Sequence, residues 1–304
     1  MITINHPPLR QMAKYIGLPL ALLFGFDALV VIAYQMLGMK WIAQPAIPLS
    51  LLGSAIGVIV GFRNNSAYGR WWEARTLWGS IVNNSRSLAR QAVTNIRARA
   101  EEDVEGVRYI QQQIVHLQIA WVNCLRQQLR GLEPWWELKD ILPQEEILLL
   151  KNEKNVAVEI QKRIGFLVMD AFMAGYMTER GWGNMDETLT RLCDAQGGAE
   201  RIKNTPMPRQ YDYFPRMFVH LYCLVLPLAM VANLGWWTPF GSTGVGLIFL
   251  ALNKIGTDLE DPFSNTIFDI PLTAICRTIE VNLRQILAEK TIPPMEKPID
   301  GVLW

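Results

Sequence analysis

Residues 46–90 read AIPLSLLGSAIGVIVGFRNNSAYGRWWEARTLWGSIVNNSRSLAR. The run opens apolar and ends polar with no obvious break between. Trp41 to Phe62 carries no Lys, Arg, Asp or Glu, about the length a helix needs to cross ~30 Å of hydrocarbon. Arg63, Arg70, Arg75, Arg86 and Arg90 follow on what still reads as helix. Basic residues gather on the cytoplasmic side of membrane segments, so the pattern predicts a helix that enters a bilayer and leaves it into the cytoplasm. At helical spacing Ser54, Val58 and Phe62 share one face, and Gly53, Gly57 and Gly61 form a small-residue line beside it. A glycine line lets a neighbouring helix come close. Spacing alone leaves two readings. Either both faces pack in a helix bundle, the usual fate of an apolar stripe, or one packs while the other lines a narrow passage.

The flanking sequence repeats the alternation of apolar and charged blocks. Tyr15 to Leu37 predicts a first membrane helix, in which Asp27 is the single acid. An ionisable residue at that depth is expensive and reads as functional by default; a protonated carboxyl bonded to a neighbouring helix is the structural alternative. Arg10 and Lys14 precede this helix and place the N-terminus in the cytoplasm. Pro7, Pro8 and Pro19 interrupt the start and no small-residue cleavage site follows, so a secretory signal peptide is not expected. Gly38 to Pro45 is a short turn with Trp41 at an interface. Met217 to Asn253 again lacks Lys, Arg, Asp and Glu. It is too long for one span and predicts two, joined by the turn formers and interfacial tryptophans of Gly235–Gly241.

Between the membrane blocks, residues 66–214 are charged and helical in pattern. The spacing of Ile110, Ile114, Leu117, Trp121, Cys124, Leu125 and Gln128 predicts an amphipathic helix ended by Gly131. Pro143 opens another with acids in its first turn, a further helix runs to about Gly175, and Asp186 is the expected cap of one that runs to about Asn204. Pro271 to Lys290 predicts a C-terminal amphipathic helix. The run Arg97–Asp103, with its alternating charge, reads as a solvated helix end. No alternating strand pattern stands out. The expected fold is therefore all-α and integral to the membrane, with four transmembrane helices per subunit. Residues 1–65 would hold the first two spans (the pore-lining candidate at 46–65), 66–214 a cytoplasmic helical region, 215–255 spans three and four, and 256–304 a cytoplasmic helix and tail.

Composition narrows the function. Of 304 residues, 50% are hydrophobic and 19% charged, below the ~25% usual for soluble domains. A net charge of +1 gives no reason to expect nucleic acid as a partner. Cys124, Cys193, Cys223 and Cys276 lie too far apart for metal-ligand spacing and read as free thiols. His6, His116 and His220 form no zinc motif; His220 reads as a hydrogen-bonded interfacial histidine. No catalytic constellation, cofactor motif or metal site emerges, and the chain does not read as an enzyme.

The run Phe62-Arg63-Asn64-Asn65-Ser66-Ala67-Tyr68-Gly69-Arg70-Trp71-Trp72-Glu73-Ala74-Arg75, with Leu77-Trp78-Gly79 and Ser85-Arg86 behind it, resembles the bestrophin family in its bacterial branch. Further matches follow in the expected order at Glu200-Arg201-Ile202, Asn204-Thr205-Pro206-Met207-Pro208, Glu260-Asp261-Pro262-Phe263, Ile270-Pro271-Leu272 and Met295-Glu296. The resemblance implies a homopentameric ion channel of the bacterial inner membrane, with both termini cytoplasmic and the second helix of each subunit around one axial pore. Its partners would be other copies of the chain, monovalent ions and the lipid bilayer.

The resemblance places the family's three neck positions on Ser54, Val58 and Phe62. Bulky apolar rings there would stop ions by dewetting. Phe62 fits, Val58 is smaller and Ser54 departs from the pattern. Arg63, Asn64 and Asn65 fall where neck meets vestibule; Arg63 either favours anions or turns away into an ion pair. A second constriction falls within Phe172–Met185. Animal members are calcium-gated through an acidic run that Ser264-Asn265-Thr266 replaces here, which predicts calcium-independent opening. The bacterial resemblance leans to monovalent cations such as sodium over chloride. A secondary transporter or a membrane-anchored scaffold would use the same spans without an axial pore.

Overall fold

The computed structural model describes the backbone of residues 1, 2 and 9–304 and the side chains of 1, 2 and 15–304. His6 and the side chains of Arg10 and Lys14, which carry the expectation for the N-terminus, lie outside the described residues. The described chain is helical and strand-free. Its helices are α1 (Leu9–Gln35), α2 (Leu49–Asn95), α3 (Val104–Arg130), α4 (Trp135–Leu138), α5 (Gln144–Leu150), α6 (Val156–Met173), α7 (Glu179–Asn204), α8 (Arg209–Leu234), α9 (Thr238–Glu260) and α10 (Leu272–Ile286). The contacts divide the chain into two compact units, one of residues 4–71 and 206–261, the other of 1–3, 72–205 and 262–304. The first unit takes in 66–71, 206–214 and 256–261, which charge alone assigns to the cytoplasmic region; Arg70, Asp212 and Asp258 among them are bonded to others of the same unit.

The first unit is apolar. Two of its stretches, Tyr15–Gln35 and Arg209–Glu260, are long and apolar enough to cross a membrane, and the second holds α8 and α9. Helix α1 packs on both α8 and α9, which pack on each other. Leu23, Ile56, Val60, Val219, Tyr222, Cys223, Leu226 and Leu250 form the core between them. Outside that core the surface stays apolar, with Leu18, Leu22, Leu29, Leu221 and Ile248 exposed. An uncovered apolar surface of this kind is what a helix presents to lipid. Gly235, at φ +52°, turns the chain between α8 and α9 where the sequence predicts the turn, and Trp236 and Trp237 stay exposed there.

The second helix differs from its expected span. It begins at Leu49 and not at residue 46, because the residue before Pro48 is held out of the helical conformation. Lys40–Ile42 is a single 3-10 turn instead, and the irregular chain after it is tied to α8 through Gln44 N–H donating to Leu228 O at 2.9 Å. That bond satisfies backbone that lipid could not. The apolar end of α2, Leu49–Phe62, is only ~21 Å long at 1.5 Å per residue.

The second unit has an ordinary buried core around α3, whose residues from Ile114 to Arg126 are all buried apart from His116. This exceeds the single apolar face predicted, because α6 and α10 both pack on it. Its polar side chains find partners there. The Trp121 Nε1–H donates to Gln196 Oε1 at 3.0 Å, and Gln118 Nε2 donates to Ser85 Oγ at 2.9 Å. Gly131, at φ +69°, ends α3 as expected. Helix α7 starts earlier than predicted. Thr178 caps it by accepting from Gly181 N–H at 3.1 Å, so Asp186 lies within the helix and caps nothing. All four cysteines are free, and burial pushes the Cys124 thiol up to about 12 and Cys276 to about 11.

Glu289 shows how a charge is held at the edge of this core. Burial raises its carboxyl, but hydrogen bonds from Arg284 Nη1 at 2.8 Å and from His116 at 2.6 Å outweigh that and hold it below the usual carboxylate range. A depressed carboxylate stabilises the fold above its unfolded pKa and loses that contribution as pH falls. Glu289→Gln should therefore lower stability near neutral pH by roughly 1 kcal/mol, and the deficit against the native chain should begin to shrink only below ~4.3 and close as pH falls through the depressed folded value. Chemical denaturation of both proteins across that range checks it.

Candidate functional site

The residues on which the sequence concentrates lie along α2, and the helix sorts them by face. Ile56, Val60 and Arg63 are buried in the apolar unit. Val58 is 58% and Phe62 65% exposed, and Ser54 and Asn65 are exposed with them. Both steps are geometric, since residues four apart return to the same face and residues two apart point away from each other. Val58 and Phe62 are thus two large apolar side chains that their own chain leaves uncovered. The Ser54 hydroxyl donates back to Ser50 O at 2.8 Å, which ties its hydrogen to the helix and leaves only lone pairs facing outward.

The glycine line beside this face divides. A methyl group at Gly53 would come within 2.7 Å of the Tyr222 hydroxyl, so glycine lets α8 approach there. Gly57 and Gly61 have nothing within 4 Å of that position, and within one chain they pack against no neighbour.

Arg63 takes the second of the two readings open to it. The side chain is 1% exposed. Its Nη2 pairs with Asp212 and donates to Thr257 Oγ1 at 3.0 Å, while Nη1 donates to the Asn253 backbone O at 3.1 Å and to Asn253 Oδ1 at 3.2 Å. Glu260 Oε2 stands 3.9 Å away. Arg63 therefore does not stand free at the end of the neck face. Asn64 also turns inward and donates Nδ2 to Leu252 O at 2.8 Å. Gly256 makes this approach possible, because a Cβ there would overlap the Asn64 carboxamide oxygen and lie 2.8 Å from Arg63 Nη1. Of the three junction residues only Asn65 stays exposed. The sequence carried no local signal for these partners, which lie some 150–190 positions downstream. The one available clue was chemical: an arginine at the end of an apolar run needs an acid, and Asp212 is the acid in the first turn of α8.

The remaining candidates are structural. Arg70 Nε donates to Glu260 O at 2.7 Å. Asp258 accepts from the Tyr15 hydroxyl at 2.5 Å and from Lys254 at 2.8 Å. Asp269 accepts from Thr266 N–H at 3.0 Å within its own loop. Among the described residues no three His, Cys, Asp or Glu side chains gather closely enough to hold a metal ion. His220 Nδ1 lies 2.7 Å from Arg216 O, an intrahelical bond as expected. In the stretch Phe172–Met185, Phe172 stacks on Trp182 at 5.9 Å, and Met173 is the large apolar side chain left exposed.

Comparison with known proteins agrees along nearly the whole length. Residues 10–285 match the family model described as Bacterial/Fungal Bestrophin protein. A protein of Salmonella typhi named voltage-dependent anion channel-forming protein YneE is 35% identical over 265 residues, covering 87% of this chain and 83% of the relative. A Nostoc protein named voltage-dependent anion channel-forming protein alr2987 is 33% identical over 258 residues, covering 85% and 82%. The crystal structure of a bacterial bestrophin homologue from Klebsiella pneumoniae superposes with a TM-score of 0.82 at 32% identity, covering 91% of this chain and all of that one.

Breaking a buried ion pair by removing one partner costs on the order of 3–5 kcal/mol. Arg63→Gln should therefore lower the thermal stability of the detergent-purified protein strongly, whereas Asn65→Asp, on the exposed side of the same turn, should leave it nearly unchanged. Thermal unfolding of the two variants beside the native chain tests this.

Proposed function

Because this chain belongs to the bacterial and fungal bestrophin family, we propose that it is an ion channel, a homopentamer in which α2 of each subunit surrounds one axial pore. The observation that carries the proposal is the uncovered pair Val58 and Phe62. Five copies around an axis cover these side chains with one another, and the open face at Gly57 and Gly61 lets neighbouring helices draw together. Ser54, Val58 and Phe62 then make successive rings of the neck, with Phe62 the narrowest. An ion cannot keep its hydration shell through a tight phenyl ring or exchange it for ligands there, so the ring gates by dewetting.

Four spans fit this reading: α1, the apolar end of α2, α8 and α9. Both chain ends then lie in the cytoplasm. Their pairing supports an even number of crossings, since Leu303 N–H donates to Met1 O at 2.8 Å and Ile2 bridges to Val302, and two segments in contact share a compartment. Residues 66–214 form the cytoplasmic vestibule region and 256–304 a cytoplasmic helix and tail, and the bacterial inner membrane is the location.

The channel passes monovalent ions, with sodium preferred over chloride. Arg63 is neutralised by Asp212 and withdrawn from the junction, and Asn65 presents an amide there. No ring of positive charge remains at that level to favour anions. The curated relatives are named for anions, so the reversal potential decides the sign. In planar bilayers under a salt gradient the purified protein should give discrete currents that grow severalfold in Phe62→Ala. Reversal toward the sodium potential supports the cation preference, and reversal toward the chloride potential replaces it with the anion one. Silence from both proteins in a folded, oligomeric preparation would return the chain to a scaffold or transporter.

A further inference from the structure

Asp27 is the acid in the middle of α1, and its surroundings define a site that the pore does not use. The residue is 0% exposed, and so is Ser242 of α9, which stands beside the carboxyl. One carboxyl oxygen is accounted for: Oδ2 accepts from the Thr243 hydroxyl at 3.0 Å. The other oxygen, Oδ1, and the Ser242 hydroxyl are both buried without a hydrogen-bond partner. Two buried polar atoms on adjoining helices thus lack the partners that such groups nearly always have.

The charge balance decides the form of the carboxyl. Asp27 lies beside Ser242 and Thr243 of α9, and among the described residues no Lys, Arg or His is bonded to either carboxyl oxygen. α1 itself carries no basic residue from Tyr15 to Gln35. An ionised carboxylate in lipid needs a counter-charge or a water-filled cavity. Two hydroxyl dipoles supply neither. A carboxylic acid needs no counter-ion, so protonation removes the charge that nothing here matches.

We propose that Asp27 is a proton-binding site inside the membrane unit. Its Oδ1 carries a proton donated to Ser242 Oγ, its Oδ2 accepts from Thr243, and this neutral chain of three side chains clasps α1 to α9. The proposal rests on the reading of α1 and α9 as membrane spans but not on ion conduction, so the two stand or fall by different measurements. It also gives Asp27 a role for which Asn is a good substitute and Ala is not, because an amide keeps both a donor and an acceptor at the same two points.

The test is infrared difference spectroscopy of the full-length protein in lipid vesicles at neutral pH. Native minus Asp27→Asn should show the carbonyl band of a protonated carboxyl, lost in the variant. In Ser242→Ala the same band should move to higher frequency as its hydrogen bond is removed. If Asp27→Asn does not fold, Thr243→Val gives a second assignment, because loss of the bond to Oδ2 also moves this band. Carboxylate bands in place of the acid band, or carboxylate bands that shift when sodium is exchanged for lithium, would overturn the proposal. An acid band unmoved by both Ser242→Ala and Thr243→Val would do the same.

Discussion

The guanidinium of Arg63 sets the terms for the apolar unit. A cation enclosed among helices that otherwise bury Leu, Val and Ile is tolerable only if its charge is matched and most of its donors find acceptors. Asp212, Asn253 and Thr257 supply acceptors to both Nη groups from α8 and α9, while Nε stays without one. To bring them within reach, α9 must lie against α2 with no side chain at Gly256, and Asn64 must turn inward beside Arg63. The consequence for function is indirect. Because Arg63 is matched within its own unit, its charge does not stand on the face that carries Val58 and Phe62.

A helix of 47 residues serves two environments with one backbone. Its first fourteen or so positions are almost free of polar side chains, and from Arg63 onward its exposed side mixes polar and basic residues with Tyr68 and Trp72 while its buried side holds Ala67, Ala74, Trp78 and Ile81. A continuous α-helix keeps the phase of its faces, so a residue placed at Phe62 is held at a fixed angle to its neighbours by a rod and not by a loop. In the proposed channel, that rigidity is what would let copies of Phe62 close on one point.

Asp27 and Arg63 represent two solutions to ionisable groups within an apolar unit. Arg63 stays charged and is matched by a carboxylate. Asp27 has only hydroxyl groups around it, and the proton proposed for it removes the charge where no partner can. Both arrangements hold helices together through polar bonds, which lipid does not compete for as water would.

Much of this protein is legible in the sequence. Charge-free runs mark the spans, prolines and glycines mark the turns at Gly131 and Gly235, and the motif around Arg70-Trp71-Trp72 marks the family, because each depends on local composition or order. What the sequence leaves open depends on distant residues. It cannot say whether Arg63 faces outward or pairs, because Asp212 is far along the chain. It predicts one buried face for α3, whereas α6 and α10 together enclose the helix. It starts α2 too early, because freedom from charge extends through Pro45 and Pro48 while helical hydrogen bonding does not. Hydropathy and order along the chain mark which segments are apolar enough to enter a membrane; only the packed helices decide which side of each segment meets a partner, since burial and hydrogen-bond satisfaction belong to pairs of residues and not to single ones.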